Sequence, residues 1–278
     1  MTERKIHEPV RAMSEHVLGR IGVHAGDEMC TPGLHLHLAP MLFDPDGHVS
    51  FGVLGMFLDL ASTQPEGLSL DRPFVHGDLS VQRLARPRGQ VLRIRGSAAR
   101  VGRRTAVVEI ELVDEHDVLV AYSTQHLVFF GSPLSRARAG RSEFQRAFMA
   151  RFTGRCTLDA PLVDVLDVRP GPARAGARSW AMPITPGSRN GFGGLHGGAA
   201  TALVDAAVAG ALADAASAPA RTVAASLRYL TPGMVGPFRA DPTILGRDGD
   251  QATVRVAVVD EGSDDLLVIL AEARAAIA

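Results

Sequence analysis

Asn190 to Leu212 reads N-G-F-G-G-L-H-G-G-A-A-T-A-L-V-D-A-A-V-A-G-A-L, a glycine-rich turn feeding a segment that is apolar on almost every side. A helix apolar all round belongs in a core. After Gly198, Asp205 is the only charged residue before Asp214. An ionised carboxylate is costly in a core unless it is partnered or has chemical work to do, so Asp205 is a candidate for chemistry.

A second stretch resembles a worn copy of the first. Val49 to Thr63, V-S-F-G-V-L-G-M-F-L-D-L-A-S-T, is a predicted apolar helix with one acid, Asp59, lying 146 residues before Asp205. The same offset pairs Gly52 with Gly198, Ser80 with Ser226, Leu84 with Leu230, and Val113-Asp114-Glu115 with Val259-Asp260-Glu261. One offset held without gaps over such a span indicates a duplication. After each helix come strand-like stretches, D-L-S-V-Q-R-L, V-L-R-I-R-G-S-A-A-R-V and R-T-A-V-V-E-I-E-L-V in the first copy, answered by A-S-L-R-Y-L, P-F-R-A-D-P-T-I-L and A-T-V-R-V-A-V-V in the second. Their alternation predicts antiparallel strands with one face on a helix. The expected fold class is α+β, in two units of residues 1–130 and 159–278. An Arg-rich linker, 131–158, with a short helix from Glu143 to Phe152, joins them.

The remaining sequence narrows the possibilities. A chain of 278 residues with 46% hydrophobic and 21% charged residues suits two ordinary soluble domains. A formal net charge of -1 gives no general attraction to nucleic acid or an anionic membrane. The apolar run near 195–213 is interrupted by His196 and Asp205, which argues against a membrane span. Cys30 and Cys156 are too isolated for a metal or disulfide framework, and the charged N-terminus lacks a signal-peptide core. Free thiols and a cytoplasmic location are therefore expected. Val10 to Ile21 predicts a short helix and Leu34 to Phe43 a strand that places His35 and His37 on one face, near His24; these read as ordinary histidines, with no metal expected. Neither a nicotinamide nor a P-loop fingerprint follows Asn190.

A strand, a glycine-rich turn, one long helix and an antiparallel sheet around it resemble the hotdog fold, here as two tandem units packed as an intramolecular pseudo-dimer. The residues are most similar to the acyl-CoA thioesterases of that superfamily, in particular the PaaI-like, phenylacetate-degradation branch. Its pattern of an Asn, an H-G-G at the helix start and an acid is matched by Asn190, His196, Gly197, Gly198 and Asp205. The resemblance implies hydrolysis of an acyl-CoA thioester, with coenzyme A arriving as part of the substrate and no separate cofactor. A helix N-terminus would meet the carbonyl oxygen, and Gly197 would let the backbone approach closely. The acid would act as nucleophile or general base, its pKa raised by burial. Asn190 would polarise the carbonyl or orient water, and His196 would assist or hold the turn.

The family places the acid of one unit against the Asn and Gly of the other. In the first copy the positions of Asn190, His196 and Gly197 are taken by Asp44, Ser50 and Phe51. The expectation is one better site made by Asp59 with Asn190, His196 and Gly197, and a degenerate one in which Asp205 faces Asp44 and Phe51. Ser80 and Ser226 are candidates for supporting the carboxylates, with satisfied strand serines as the alternative. Two other functions fit duplicated hotdogs: an acyl-CoA hydratase or dehydratase, for which D-P-D-G-H (Asp44 to His48) is a poor match, and a non-catalytic acyl-CoA-binding module. Further association of chains into a homo-oligomer is expected from open sheet edges.

Overall fold

The computed structural model describes residues 16–25, 33–66, 68, 73–131, 152–174, 177–216 and 219–277. The expected helix at 143–152 falls almost wholly outside these, as do Cys30 and most of the Arg-rich linker.

The first half runs α1 (Val17–Arg20), β1 (Val23–Ala25), β2 (Leu34–His37), α2 (Phe51–Ala61), β3 (Phe74–Arg83), β4 (Val91–Val101), β5 (Thr105–Asp114) and β6 (Leu119–Phe129). The second runs α3 (Leu162–Val165), β7 (Arg169–Arg174), β8 (Ala177–Met182), α4 (Gly197–Ala216), β9 (Ala220–Tyr229), β10 (Phe238–Asp248), β11 (Gln251–Asp260) and β12 (Leu266–Ile277). The strand predicted to reach Phe43 stops at His37, and Pro40–Leu42 form a 3-10 turn. Proline has no N–H for a ladder but is well suited to the first turn of a helix. The helix expected from Val10 begins, among the described residues, only at Val17.

Among the described residues, twelve strands form one antiparallel sheet, in the order β1-β2-β4-β5-β6-β3-β9-β12-β11-β10-β8-β7. Each strand's counterpart in the other half lies at the mirrored place in that order. The halves meet where β3 pairs with β9, and at the centre of the pairing Ser80 lies opposite Ser226, its own counterpart at the 146-residue offset. The offset then slips. Val108 faces Gln125, whereas Val254, which matches Val108, faces Ala273 rather than Ala271. A 3-10 turn at Glu261–Ser263 precedes the last strand.

The helices α2 and α4 pack together, and their contact is lined by small residues. A Cβ at Gly52 would lie 2.7 Å from that of Ala202, and one at Gly198 would collide with the backbone of Met56. Glycine here permits backbone contact that any side chain would prevent. Around the two helices lies a core in which Phe51, Phe57, Leu54, Met56, Leu203 and Val204 are buried. By length and composition Gly197–Ala215 is apolar enough to cross a membrane, yet its residues Ala199 to Val204 are all buried within the fold.

Candidate active site

Close packing of α2 on α4 carries Asp59 to the start of the other half's long helix. Its Oδ2 accepts the backbone N–H of Gly198 at 2.8 Å. This amide belongs to the first turn, which has no intrahelical acceptor, and the helix dipole favours a negative charge there. His196 Nδ1 lies 3.0 Å from the same oxygen, and His76 Nδ1 lies 3.0 Å from Oδ1. The carboxylate is thus held between two imidazoles and a helix N-terminus, at the seam of the two halves.

The partners of His76 fix its protonation. Its Nε2 sits 3.0 Å from Oε1 of Gln125, whose amide nitrogen is turned away to donate to Leu58 O at 2.8 Å and Ser123 Oγ at 3.1 Å. Both ring nitrogens of His76 therefore face acceptors, an arrangement that suits the imidazolium. Burial alone would lower its pKa, but the charge of Asp59 and the bonds to Asp59 and Gln125 raise it. Burial alone would raise that of Asp59, but the charges of and bonds to His196 and His76 hold it well below the usual carboxylate range. The expectation of a burial-raised carboxyl is corrected at this residue, because the imidazoles favour the charged form more strongly than burial opposes it.

His196 is flanked in turn by His16, edge to face at 5.2 Å between ring centroids. His16 caps α1 by accepting Leu18 N–H at Nδ1 and donates from Nε2 to Arg189 O at 2.8 Å. One nitrogen accepts and the other donates, so the ring is neutral. Its pKa is lowered to about 3 by burial and by His196.

These groups form one wall of a cavity of about 690 Å³. Leu18, Leu60, Phe74, Val128, Val268 and Ile269 supply apolar lining, while Asp59, His76, His196, Gly197 and Tyr229 supply the polar end. Such a volume and a few convergent polar groups are typical of small-molecule sites. Gly197 is the hinge of the polar end. A Cβ there would sit 2.7 Å from the Tyr229 hydroxyl and 2.9 Å from Asp59 Oδ2, so only glycine leaves this space unfilled.

The counterpart region, around Asp205, is built differently. Phe51 stands in the place of Gly197 and is fully buried. Arg83, at the position of Tyr229, binds the carboxylate of Asp44 and the carbonyl of Thr222, with its guanidinium 5.9 Å from the Phe51 ring centroid. Thr222 replaces His76. Without an imidazole beside it, Asp205 is pushed up to about 6 by burial, with the Thr222 hydroxyl opposing and the charge of Asp44 adding.

The expected residues are thus sorted. Asp59, His196 and Gly197 come together, and Asp205 lies near Asp44 in the other region. Gly198, expected to bind substrate, has its amide engaged by Asp59. Asn190 lines the cavity, but its amide organises the turn: Oδ1 accepts N–H groups of Phe192 and Gly194, and Nδ2 donates to Leu195 O. A short amide that bonds its own backbone is a common turn device. Ser80 and Ser226 support neither carboxylate. Ser80 bridges the backbone of Thr124, donating to its carbonyl and accepting its N–H, both at 2.9 Å, and Ser226 is exposed. Strand alternation turns them away from the helices. In D-P-D-G-H, Asp44 is bound by Arg83, and His48 lies beside Asp46 and Arg221. No cluster of three His, Cys, Asp or Glu suited to a metal occurs among the described residues.

The sequence reading missed His76, Gln125, Tyr229 and His16. A signal was present for two of them: His76 against Thr222 and Tyr229 against Arg83 are positions where the two copies differ in chemistry. Gln125 escaped because the register slips before the last strand. His16 has Leu162 as its counterpart, in a helix of only four residues.

Comparison with known proteins agrees with this architecture. The sequence model of the Thioesterase superfamily matches residues 192–266. No curated protein matches the chain significantly in sequence. Among solved structures, a conserved protein of unknown function with a hot dog fold from Alicyclobacillus acidocaldarius superposes with a TM-score of 0.58 at 15% identity, covering 88% of this chain and 92% of that one. The 12:0-ACP thioesterase from Umbellularia californica gives 0.58 at 11% identity, covering 88% and 93%. An acyl-CoA thioesterase II from Mycobacterium marinum gives 0.55 at 11%, covering 88% and 92%. The chain therefore has the hotdog fold, and the segment 192–266, which contributes the helix start and Tyr229 to the cavity, is similar to the Thioesterase superfamily.

Proposed function

We propose that the chain is an acyl-CoA thioesterase made of two tandem hotdog units, residues 1–130 and 159–278, packed as a pseudo-dimer with a single working site. The observation that carries this reading is the ionised Asp59 of one unit resting on the helix N-terminus of the other, at the polar end of an apolar cavity. The mirrored strand order supports the pseudo-dimer.

The substrate's acyl group occupies the apolar part of the cavity and its carbonyl lies at Gly197. First-turn amides and the helix dipole favour negative charge on the carbonyl oxygen. Asp59 assists attack by orienting a water, with the His76 imidazolium and His196 holding its two oxygens in place. Water's oxygen bonds to the carbonyl carbon, the carbon–sulfur bond breaks, and water's proton passes by way of Asp59 to the departing sulfur. The products are the free acid and coenzyme A. Asn190 shapes the turn that presents Gly197, a likeness to the phenylacetate-degradation branch that rests on its spacing. The reaction needs no cofactor beyond the coenzyme A of the substrate.

The test is release of free thiol from a panel of aromatic, short-chain and medium-chain acyl-CoA esters, with enoyl-CoA hydration assayed beside it. Hydrolysis of at least one ester is expected. Tight acyl-CoA binding without thiol release would identify a binding module, and hydration without hydrolysis would identify a hydratase.

A further inference from the structure

Tyr229 is left without a task by the account so far. It ends β9, lines the cavity, and carries a hydroxyl that is buried with no hydrogen-bond partner among the described residues. A buried donor left unpaired forfeits the hydrogen bonds it made to water, so such a group in a native protein calls for an explanation. Packing alone would be served equally well by phenylalanine. Of the two carboxylates whose charges reach the hydroxyl, Asp59 has both oxygens held by His76, His196 and Gly198, and Asp78 lies beside His126 and Arg228. Tyr229 and Asp59 instead flank the same bare Cα: the missing Cβ of Gly197 would be within 2.7 Å of one and 2.9 Å of the other.

We propose that Tyr229 is a catalytic residue, donating its O–H to the thioester carbonyl oxygen as that oxygen becomes negative over Gly197. This rests on the thioesterase reading above. Burial, and the charges of Asp59 and Asp78, raise the phenol well above its ordinary value, so it stays a neutral O–H donor across the working range. The donor is preorganised and pays its desolvation in the resting protein; the acceptor it lacks is supplied when negative charge develops. During the step water's oxygen bonds to carbon, the carbonyl π pair moves onto oxygen beside the Tyr229 O–H, and the pair returns as the carbon–sulfur bond breaks. The phenol keeps its proton throughout. In the other half the corresponding residue is Arg83, whose two terminal nitrogens bind Asp44 and the Thr222 carbonyl, and the buried Phe51 fills the place of Gly197, so that region presents no phenol beside an open helix start.

The experiment uses the full chain and Tyr229→Phe on the best thioester of the panel. A fall of about 100-fold in kcat, the scale for losing one oxyanion donor, is expected with KM changed less than about threefold. Thermal stability should be equal or higher, because an unpaired buried hydroxyl has been removed. A second measurement does not depend on turnover. An acyl-CoA analogue with CH2 in place of the thioester sulfur should show a carbonyl stretch at lower frequency bound to wild type than to Tyr229→Phe. Wild-type kcat in Tyr229→Phe, or an identical carbonyl stretch in both proteins, overturns the assignment while leaving the thioesterase reading intact. If wild type itself hydrolyses no thioester, that reading fails and the assignment fails with it. Should Tyr229→Phe not fold, ring-fluorinated tyrosine at 229 keeps the shape and makes the phenol a stronger donor; an unchanged kcat and carbonyl frequency would then overturn the role.

Discussion

Around Asp59 and around Asp205 the same fold presents the same acid on the same helix, with opposite electrostatic results. Asp59 is bracketed by His76 and His196 and sits on an uncrowded helix start, which keeps it ionised beside an open cavity. Asp205 has threonine in place of one imidazole and Phe51 at the helix start, with Arg83 already neutralised by Asp44. Burial is shared by both and so cannot distinguish them. The difference lies in what each strand and helix start places within hydrogen-bond reach, which decides whether a buried carboxylate is charged and whether anything can approach it.

The largest expected effect breaks the comparison outright. Asp59→Asn should lower thiol release by at least about 1000-fold, the scale seen when a catalytic carboxylate is lost; Asp205→Asn should stay within about threefold of wild type. The reverse ranking would make Asp205 the working acid. Next, Gly197→Ala places a methyl between Tyr229 and Asp59, and kcat/KM should drop about 100-fold through misplacement of the carbonyl. Phe51→Ala, at the matching position, should instead cost stability, about 3–5 kcal/mol for a fully buried ring, seen in urea unfolding.

The pH profile sharpens the contrast. Asp59 is held far down, so wild-type kcat/KM should show no acid limb from a carboxyl near pH 6, whereas Asp205, at about 6, would produce one if it were the working group. His76→Gln removes a neighbouring positive charge, so the Asp59 pKa should rise and its acid limb move to higher pH. An acid limb near 6 that vanishes in Asp205→Asn would reverse the assignment. The smallest effect concerns stability. The carboxyl of Asp205 is raised from 3.8 to about 6 on folding, so the native state holds its proton longer and loses stability as pH rises between those values. Asp205→Asn should therefore stabilise the protein by about 1–2 kcal/mol at pH 8, after allowing for partial exposure, and by nothing at pH 4. Equal unfolding midpoints at pH 8 would show that the carboxylate is better solvated than its surroundings suggest.

Much of the architecture was legible because periodicity and repetition are local properties of a chain. The alternation of Thr253 to Val258 and the gapless offset through Asp260 required no knowledge of the fold. Asp59, His196 and Gly197 were also nameable, since two lie in the H-G-G turn and the third is that turn's acid carried back through the repeat. Other residues were hidden for identifiable reasons. Gln125 reaches His76 across a strand pair separated by 49 residues, and the slipped offset gave it no matching partner in the second copy. Ser80 looked promising from its position after the acid, yet side-chain direction in a strand depends on its register, and that register sends the hydroxyl to Thr124.

The sequence by itself determined a 146-residue offset that relates two stretches, an apolar helical segment with one acid in each, and a glycine at the helix start of the second where Phe51 stands in the first. These follow from residue type and spacing along the chain. Only the tertiary structure decided the charge of each acid, because His76, Gln125 and Tyr229 act through positions on strands that the fold brings together from distant parts of the sequence. A carboxylate's protonation and a hydroxyl's lack of a partner are properties of neighbours in space, and those neighbours exist only once α2 has packed on α4 and β3 has paired with β9.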